Sequence, residues 1–277
     1  TRKGDGHDYI PWLYSRGVRR FVVTHTVEGC PEATFYVADD VTLALQLVAR
    51  RRRERFACPV IGITGSNGKT VVKEWLYQML MGEMRVTRSP RSYNSQTGVP
   101  LSVWQLDERT ELGVFEAGIS QMGEMQRLRD VIQPTIGVFT GLGTAHQEGF
   151  TSLQVKCEEK MCLFDNAEVL VCPADDLVVR RAVAASRFGG KVLSCSMRDK
   201  SAWLYIEDVR RGAETTTFVC RGKTFVIPFI DEASLCNAIT CTAVCLHLGM
   251  TADVIAERLL RLEPVAMRLE VKEGVRG

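Results

Sequence analysis

The chain has 277 residues, of which 45% are apolar and 25% charged, and a net charge of +2. It is long enough for two domains, and its composition is that of an ordinary globular protein. The charge is too small to argue for a nucleic-acid partner, no apolar run approaches the ~20 residues that span a bilayer, and no signal-peptide pattern opens the chain.

Residues 1–56 read as a small α/β unit. A short helix is expected over 9–16, with Ile10, Leu13 and Tyr14 on one side. Strands are expected over 19–24 and 34–37, then a helix over 41–53 with Leu43, Leu47 and Val48 facing inward. No obvious strand precedes Thr1, so this unit is expected to be incomplete. Arg50 to Arg53 and Arg55 form a basic run at a helix end. A solvated C-terminus complementing the helix dipole is the simpler reading, and a polyanion site the alternative.

Residues 60–81 organise the rest. The apolar run Val60-Ile61-Gly62-Ile63-Thr64 meets a loop of small residues, Gly65-Ser66-Asn67-Gly68, and then Lys69 and Thr70. A helical pattern follows, with Val72, Leu76, Met79 and Leu80 at helical spacing and Lys73 and Glu74 between them. Strand, glycine loop, Lys-Thr, helix is the order of a phosphate-binding loop. Loop and helix-start amides then face one concavity, and the helix dipole adds positive potential. Lys69 would reach the β/γ-phosphates and the Thr70 hydroxyl would ligate Mg²⁺. Ile63 stands where the strict pattern has glycine, and a turn using glycine for geometry alone is the competing reading.

A strand candidate at 84–87 leads into residues 89–100, a loop by composition and rich in hydrogen-bonding side chains, Asn94 among them. The apolar run 112–116 ends in the carboxylate of Glu116. Ligands of open parallel sheets sit at carboxyl ends of strands, so Glu116 lies beside the phosphate loop if the two strands are neighbours. Residues 135–140 repeat the arrangement and lead to His146, a candidate metal ligand. Helical segments over 122–131 and 153–164 alternate with these strands, which implies a doubly wound parallel sheet. Lys156 and Lys160 lie on the second segment. Lys160 sits among Met161, Leu163 and Phe164, and a partly buried lysine has a lowered pKa and becomes nucleophilic, whereas the default for any lysine is surface charge.

Strands are expected at 169–172 and 191–194. The texture then changes to antiparallel strands over 203–209, 215–220 and 224–230. Helices are expected over 235–248 and 251–260, the second capped by Thr251, and a last strand starts at Val265. The ten cysteines include no Cys-x-x-Cys, and Cys172, Cys220, Cys236, Cys241 and Cys245 lie in apolar or helical stretches. They read as buried thiols of a reducing cytosol rather than a disulfide framework or a zinc site.

Five blocks together resemble the Mur ligase family, the ATP-dependent amino-acid and peptide ligases of bacterial cell-wall synthesis. They are Asp5-Gly6-His7-Asp8-Tyr9-Ile10, Ile63 to Thr70, Tyr93-Asn94 with Gly98-Val99-Pro100, Glu116-Ala117-Gly118, and Ala145-His146 with Glu148-Gly149-Phe150. The chain is most similar to the branch that adds D-alanyl-D-alanine to UDP-N-acetylmuramoyl-tripeptide. Its wording at 92–96 and 115–120 is similar to members fused to an alanine racemase, although nothing in these residues encodes one. The resemblance implies a cytoplasmic bacterial enzyme using ATP and two Mg²⁺ ions, with no nucleic-acid partner and no membrane span.

It further implies that Gly65, Ser66, Asn67, Gly68, Lys69 and Thr70 hold the phosphates, and that Thr70 and Glu116 ligate the first Mg²⁺. His146 and a carbamoylated Lys160 would ligate the second. Asn94 would lie near the γ-phosphate, Asn237 would face the adenine, and Arg268 would stand at the entry to a third domain. The implied domains are a partial UDP-substrate-binding unit at 1–56, an ATP-binding domain at 57–267, and a linker beginning at 268–277. The implied chemistry is attack of the tripeptide carboxylate on the γ-phosphate, then displacement of phosphate from the acyl phosphate by the D-Ala-D-Ala amine. Two departures stand out. Ala233-Ser234-Leu235-Cys236-Asn237 keeps only the second asparagine of the usual His-Asn-x-x-Asn, and the usual opening uridine-contacting strand is not found before Thr1. A nucleotide-binding module without turnover and a folate-polyglutamate type of ligase are the rival readings.

Overall fold

The computed structural model describes residues 4–142 and 150–265. Its first unit has a 3₁₀ turn over Gly6–Tyr9, helix α1 (Ile10–Ser15), and strands β1 (Arg20–Val23) and β2 (Thr34–Val37), which pair in parallel. Ile10, Phe21, Val23 and Cys30 form its small core.

Helix α2 (Val41–Arg53) is capped by Asp40, whose carboxylate accepts from the Thr42 and Leu43 amides. Its buried residues are Gln46, Ala49 and Arg53, whereas Leu43, Leu47 and Val48 are exposed. The expected inward face is therefore reversed. The helix packs its Gln46–Ala49–Arg53 side against the later helices α4 and α5, so a tertiary partner overrides the apolar pattern. The arginine run is a solvated end only in part, with Arg50, Arg51 and Arg55 exposed and Arg52 and Arg53 turned into the protein. Arg50 and Arg51 pair with Glu54. Arg52 donates to the Trp104 and Leu106 carbonyls at 2.8 and 2.6 Å, and buried Arg53 donates to the Ile132 and Gln133 carbonyls at 3.0 and 3.2 Å. Arg53→Met is expected to leave those carbonyls without their donor and to lower stability by roughly 2–4 kcal/mol, read as a fall in denaturation midpoint.

The second unit is built on strands β3 (Val60–Thr64), β4 (Val86–Arg88), β5 (Leu112–Glu116), β6 (Ile136–Phe139), β7 (Val169–Pro173), β8 (Lys191–Ser196) and β9 (Leu204–Tyr205). They form one parallel sheet in the order β4-β5-β3-β6-β7-β8-β9. Helices α3 (Lys69–Leu80), α4 (Gly98–Val103), α5 (Glu124–Ile132), α6 (Leu153–Met161) and α7 (Leu177–Ala185) connect them. Strands β10 (Asp208–Arg211), β11 (Thr216–Cys220) and β12 (Lys223–Ile227) make the small antiparallel sheet, followed by α8 (Glu232–His247) and α9 (Ala252–Leu260). The doubly wound, mostly parallel α/β architecture with an antiparallel subsheet is thus present. Helices α4 and α7 were not expected. Gly98 and Pro100 disguise the first, although proline is tolerated in an opening turn. The second carries a plain signal in Asp176, which caps the Val178 and Val179 amides.

Each inner strand is covered on both faces, which is why it reads as an unbroken apolar run. Ile61, Ile63 and Val114 face a core shared with α3, α8 and α9. Val60, Phe115 and Phe139 face a second core shared with α2, α4, α5, α6 and α7. Strand β3 is the switch point. The chain runs outward from it to β4, returns through β5 on one side, and continues with β6 on the other. In such sheets the crevice for a ligand opens beyond the carboxyl ends of those strands. A Cβ at Gly137 would overlap the Phe164 ring, so glycine in β6 lets the 3₁₀ turn after α6 (Cys162–Phe164) lie against the sheet. Of the ten cysteines read as buried, seven are buried, Cys58 and Cys162 are half-buried and Cys236 is exposed. No helix among the described residues is long and apolar enough to cross a membrane.

Candidate active site

The loop after β3 is held by its glycines. Gly65 has φ +145° and Gly68 φ +82°, conformations that side-chain-bearing residues rarely adopt. A Cβ at Gly65 would overlap Thr140 Oγ1, and one at Gly68 would overlap Asn237 Oδ1. The loop is therefore wedged between the end of β6 and the start of α8. Its amides are only partly as expected. Ser66 and Asn67 donate to the Gly141 carbonyl at 3.0 and 3.3 Å, and so are turned toward the residue after β6. Gly68 caps α3 without a side-chain hydrogen bond, which keeps the positive end of that helix open to an anion. Ser66 Oγ is buried with no hydrogen-bond partner among the described residues.

Lys69 folds back over the loop, its Nζ donating to the carbonyls of Gly65 (3.0 Å) and Ser66 (3.3 Å). Lys160 reaches the same Gly65 carbonyl from α6, at 3.0 Å. It is buried, and its pKa is lowered from an ordinary 10.5 to about 7, first by burial and then by the charges of Lys69 and Lys156. Lys156 is also buried, and burial lowers its pKa.

Register places Glu116 opposite Ile63 at the end of β5. Its carboxylate is buried, and Oε2 accepts from Thr70 Oγ1 at 2.9 Å. Ser92 Oγ lies 3.3 Å from the same hydroxyl. Asn94 sits where a Cβ on Gly118 would come within 3.2 Å of its amide, and its carbonyl accepts from the Gly118 amide at 2.8 Å. Gly65, Ser66, Lys69, Asn94 and Lys160 share one cleft of about 360 Å³, into which Thr42 of α2 also reaches. Asn237 lines a second cleft of about 220 Å³ with Gly141, Asp175, Ser196 and Cys236, on the other side of the loop.

The structure thus gathers Gly65 to Thr70, Asn94, Glu116, Lys160 and Asn237 around one loop. His146 and Arg268 lie outside the described residues. Thr140 and Lys73 escaped the sequence reading as site residues, and Ser92 entered it only as one polar residue of a loop. Thr140 binds the Thr64 carbonyl at 3.2 Å and the Asn67 carbonyl. Lys73 was placed only between the apolar positions of its helix, and it is fully buried. The donor set suits a hard divalent cation, with a hydroxyl and a carboxylate oxygen side by side. The open α3 terminus, Lys69 and buried Ser66 Oγ suit a polyphosphate.

Residues 63–245 match the family described as Mur ligase middle domain. The chain is 28% identical over 277 aligned residues to the UDP-N-acetylmuramoyl-tripeptide–D-alanyl-D-alanine ligase of Bacillus subtilis, covering 96% of this chain and 58% of that protein. It is 29% identical over 273 residues to the enzyme of that name in Borreliella burgdorferi, covering 93% and 58%. The chain therefore spans about three fifths of the length of these relatives. Among solved structures, MurF from Acinetobacter baumannii superimposes with a TM-score of 0.89 at 23% identity, over 99% of this chain and 61% of that one. MurF ligase from Thermotoga maritima in complex with ADP gives 0.85 at 24%, over 99% and 64%. Both share the doubly wound fold described above. With the middle-domain match taking in more than half of its residues, the chain belongs to the Mur ligase family.

Proposed function

We propose that this chain is the ATP-binding part, with a portion of the acceptor-binding part, of a ligase that joins D-alanyl-D-alanine to UDP-N-acetylmuramoyl-tripeptide in peptidoglycan precursor synthesis. On this reading residues 1–56 belong to the UDP-substrate domain, 57–267 form the ATP domain, and 268–277 begin the linker to a domain that brings the amine. The observation that carries it is the convergence of Lys69, Thr70, Glu116 and Lys160 on one glycine loop beside a polar cleft. The names of the relatives supply the substrates, and the ADP in the Thermotoga maritima structure supports use of ATP.

Lys69 and the start of α3 hold the β- and γ-phosphates and stabilise the charge that moves onto the bridging oxygen. Thr70 and Glu116 would hold one Mg²⁺, and His146 with a carbamate on Lys160 would hold a second. The Lys160 amine forms a bond to the carbon of CO₂ and releases a proton to solvent, which a lysine with a pKa near 7 does readily. Bound Mg²⁺ would neutralise phosphate charge and align the γ-phosphate for in-line attack. Asn94 orients the γ-phosphate, and Asn237 meets the adenine in the second cleft. The acceptor carboxylate enters from the side of Thr42 and attacks the γ-phosphorus; the bond from that phosphorus to the β–γ bridging oxygen breaks, ADP leaves, and the carboxylate becomes an acyl phosphate. The D-Ala-D-Ala amine then attacks the acyl carbon and expels phosphate.

The test is phosphate release by the full-length protein given ATP, Mg²⁺, UDP-N-acetylmuramoyl-tripeptide and D-Ala-D-Ala. Release is expected to require both substrates and to match amide formed. Nucleotide binding without amide under any acceptor leaves a binding module and defeats the ligase reading.

A further inference from the structure

Lys73 lies one turn along α3 from Thr70 and is completely buried. An ammonium ion taken out of water must have its three protons accepted. Here Nζ donates to the Ser89 carbonyl at 2.8 Å, to the Arg91 carbonyl, and to Glu74 Oε1 at 3.0 Å, with Glu116 Oε1 4.0 Å away. Two of these acceptors belong to the loop after β4. That loop turns through Arg91 in the left-handed region, at φ +49°, a conformation costly for a residue with a side chain. Beyond the turn come Ser92, whose hydroxyl meets Thr70, and Asn94, packed on Gly118. Glu74 bridges to the near side of the same loop through Arg88, at 2.9 Å.

We propose that Lys73 is a positioning residue: its buried ammonium group draws in the Ser89 and Arg91 carbonyls, sustains the left-handed turn at Arg91, and so holds Ser92, Asn94 and Glu116 around Thr70 in the arrangement that receives a magnesium–nucleotide. This deepens the reading above and rests on it for the identity of the ligand. Lys73 touches none of the reacting groups. It acts through the loop and through its charge, which lies 4.0 Å from Glu116 Oε1. The site is then assembled before nucleotide arrives, which lowers the ordering cost of binding.

The test combines Mg–ADP calorimetry with amide hydrogen exchange on wild-type, Lys73→Met, and Lys73→Met with Arg91→Gly. Lys73→Met is expected to weaken Mg–ADP binding 10- to 100-fold and to speed exchange at least tenfold within residues 88–97 only. Glycine at 91 relieves the left-handed turn, so the double variant is expected to recover at least threefold of both losses. A Lys73→Met protein that binds as tightly as wild-type overturns the proposal. So does faster exchange spread through α3 and the sheet without recovery in the double variant, which is the mark of core damage. If Lys73→Met does not fold, exchange of the wild-type loop without nucleotide decides. Protection of residues 89–94 supports preassembly, and exchange at unstructured rates refutes it. Wild-type protein that binds no Mg–ADP defeats the parent reading, and the exchange data, which need no ligand, tell the two failures apart.

Discussion

Lys69→Ala in the full-length protein is expected to lower turnover by roughly three orders of magnitude, the scale on which one positive clamp acts in phosphoryl transfer. The reason is geometric as well as electrostatic. Lys69 lies over the loop with its amine on the Gly65 and Ser66 carbonyls, so its charge is already fixed where β- and γ-phosphate oxygens would meet the open terminus of α3. A preorganised charge needs no rearrangement as the bridging oxygen becomes negative. The fold should survive, because the Gly65 carbonyl keeps its second donor, Lys160. Phosphate release and thermal unfolding measured on the same preparation check both halves. A loss of less than tenfold, with folding intact, would remove Lys69 from the phosphate site.

The second large effect is expected at Lys160. Its pKa near 7 means that about half the side chain is neutral at neutral pH, where an ordinary lysine is almost wholly protonated. Carbamate formation needs the neutral amine. With ¹³C-bicarbonate, a carbamate resonance is therefore expected to grow from pH 6 to pH 8 and to be missing from Lys160→Met. Turnover of that variant should fall by roughly 100-fold if the carbamate is a ligand of the second ion. Linkage adds a readout that needs no substrate. The folded pKa is depressed, so between about 7 and 10.5 the unfolded chain binds the proton that the folded chain has lost. Lys160 therefore makes stability rise with pH across that window, and Lys160→Met should flatten the rise. An unchanged pH–stability curve, with no carbamate signal in the wild-type, would return Lys160 to a structural role.

The glycine loop was legible as a local order, because Gly65, Gly68, Lys69 and Thr70 lie between a strand end and a helix start within one short stretch. Glu116 was legible by the same logic one step removed: a strand end carries a carboxylate to the edge of a parallel sheet wherever that strand lies. Lys160 was singled out by its apolar neighbours Met161, Leu163 and Phe164, but those residues left surface charge as the default, and only the family resemblance gave it a role. For the loop and for Glu116, backbone periodicity or local composition carries the information.

What the tertiary structure decided depends on which elements meet. Only the strand order makes β5 and β6 the neighbours of β3, and so sets Glu116 2.9 Å from Thr70. The Ser66 and Asn67 amides turn toward Gly141 because β6 delivers a carbonyl there. Helix α2 buries Gln46, Ala49 and Arg53 and exposes Leu43, Leu47 and Val48, because α4 and α5 offer carbonyls and close approach on the polar side. Lys73 is the sharpest instance. The helical pattern gave it no partner, but a loop some 16 to 18 residues further along the chain brings carbonyls over it and makes its burial possible. Sequence by itself determined which chemical groups stand at the strand end and helix start of this loop, since those positions follow from local backbone periodicity. Which charges are buried, and which loops they hold, was decided by packing between segments distant in the chain.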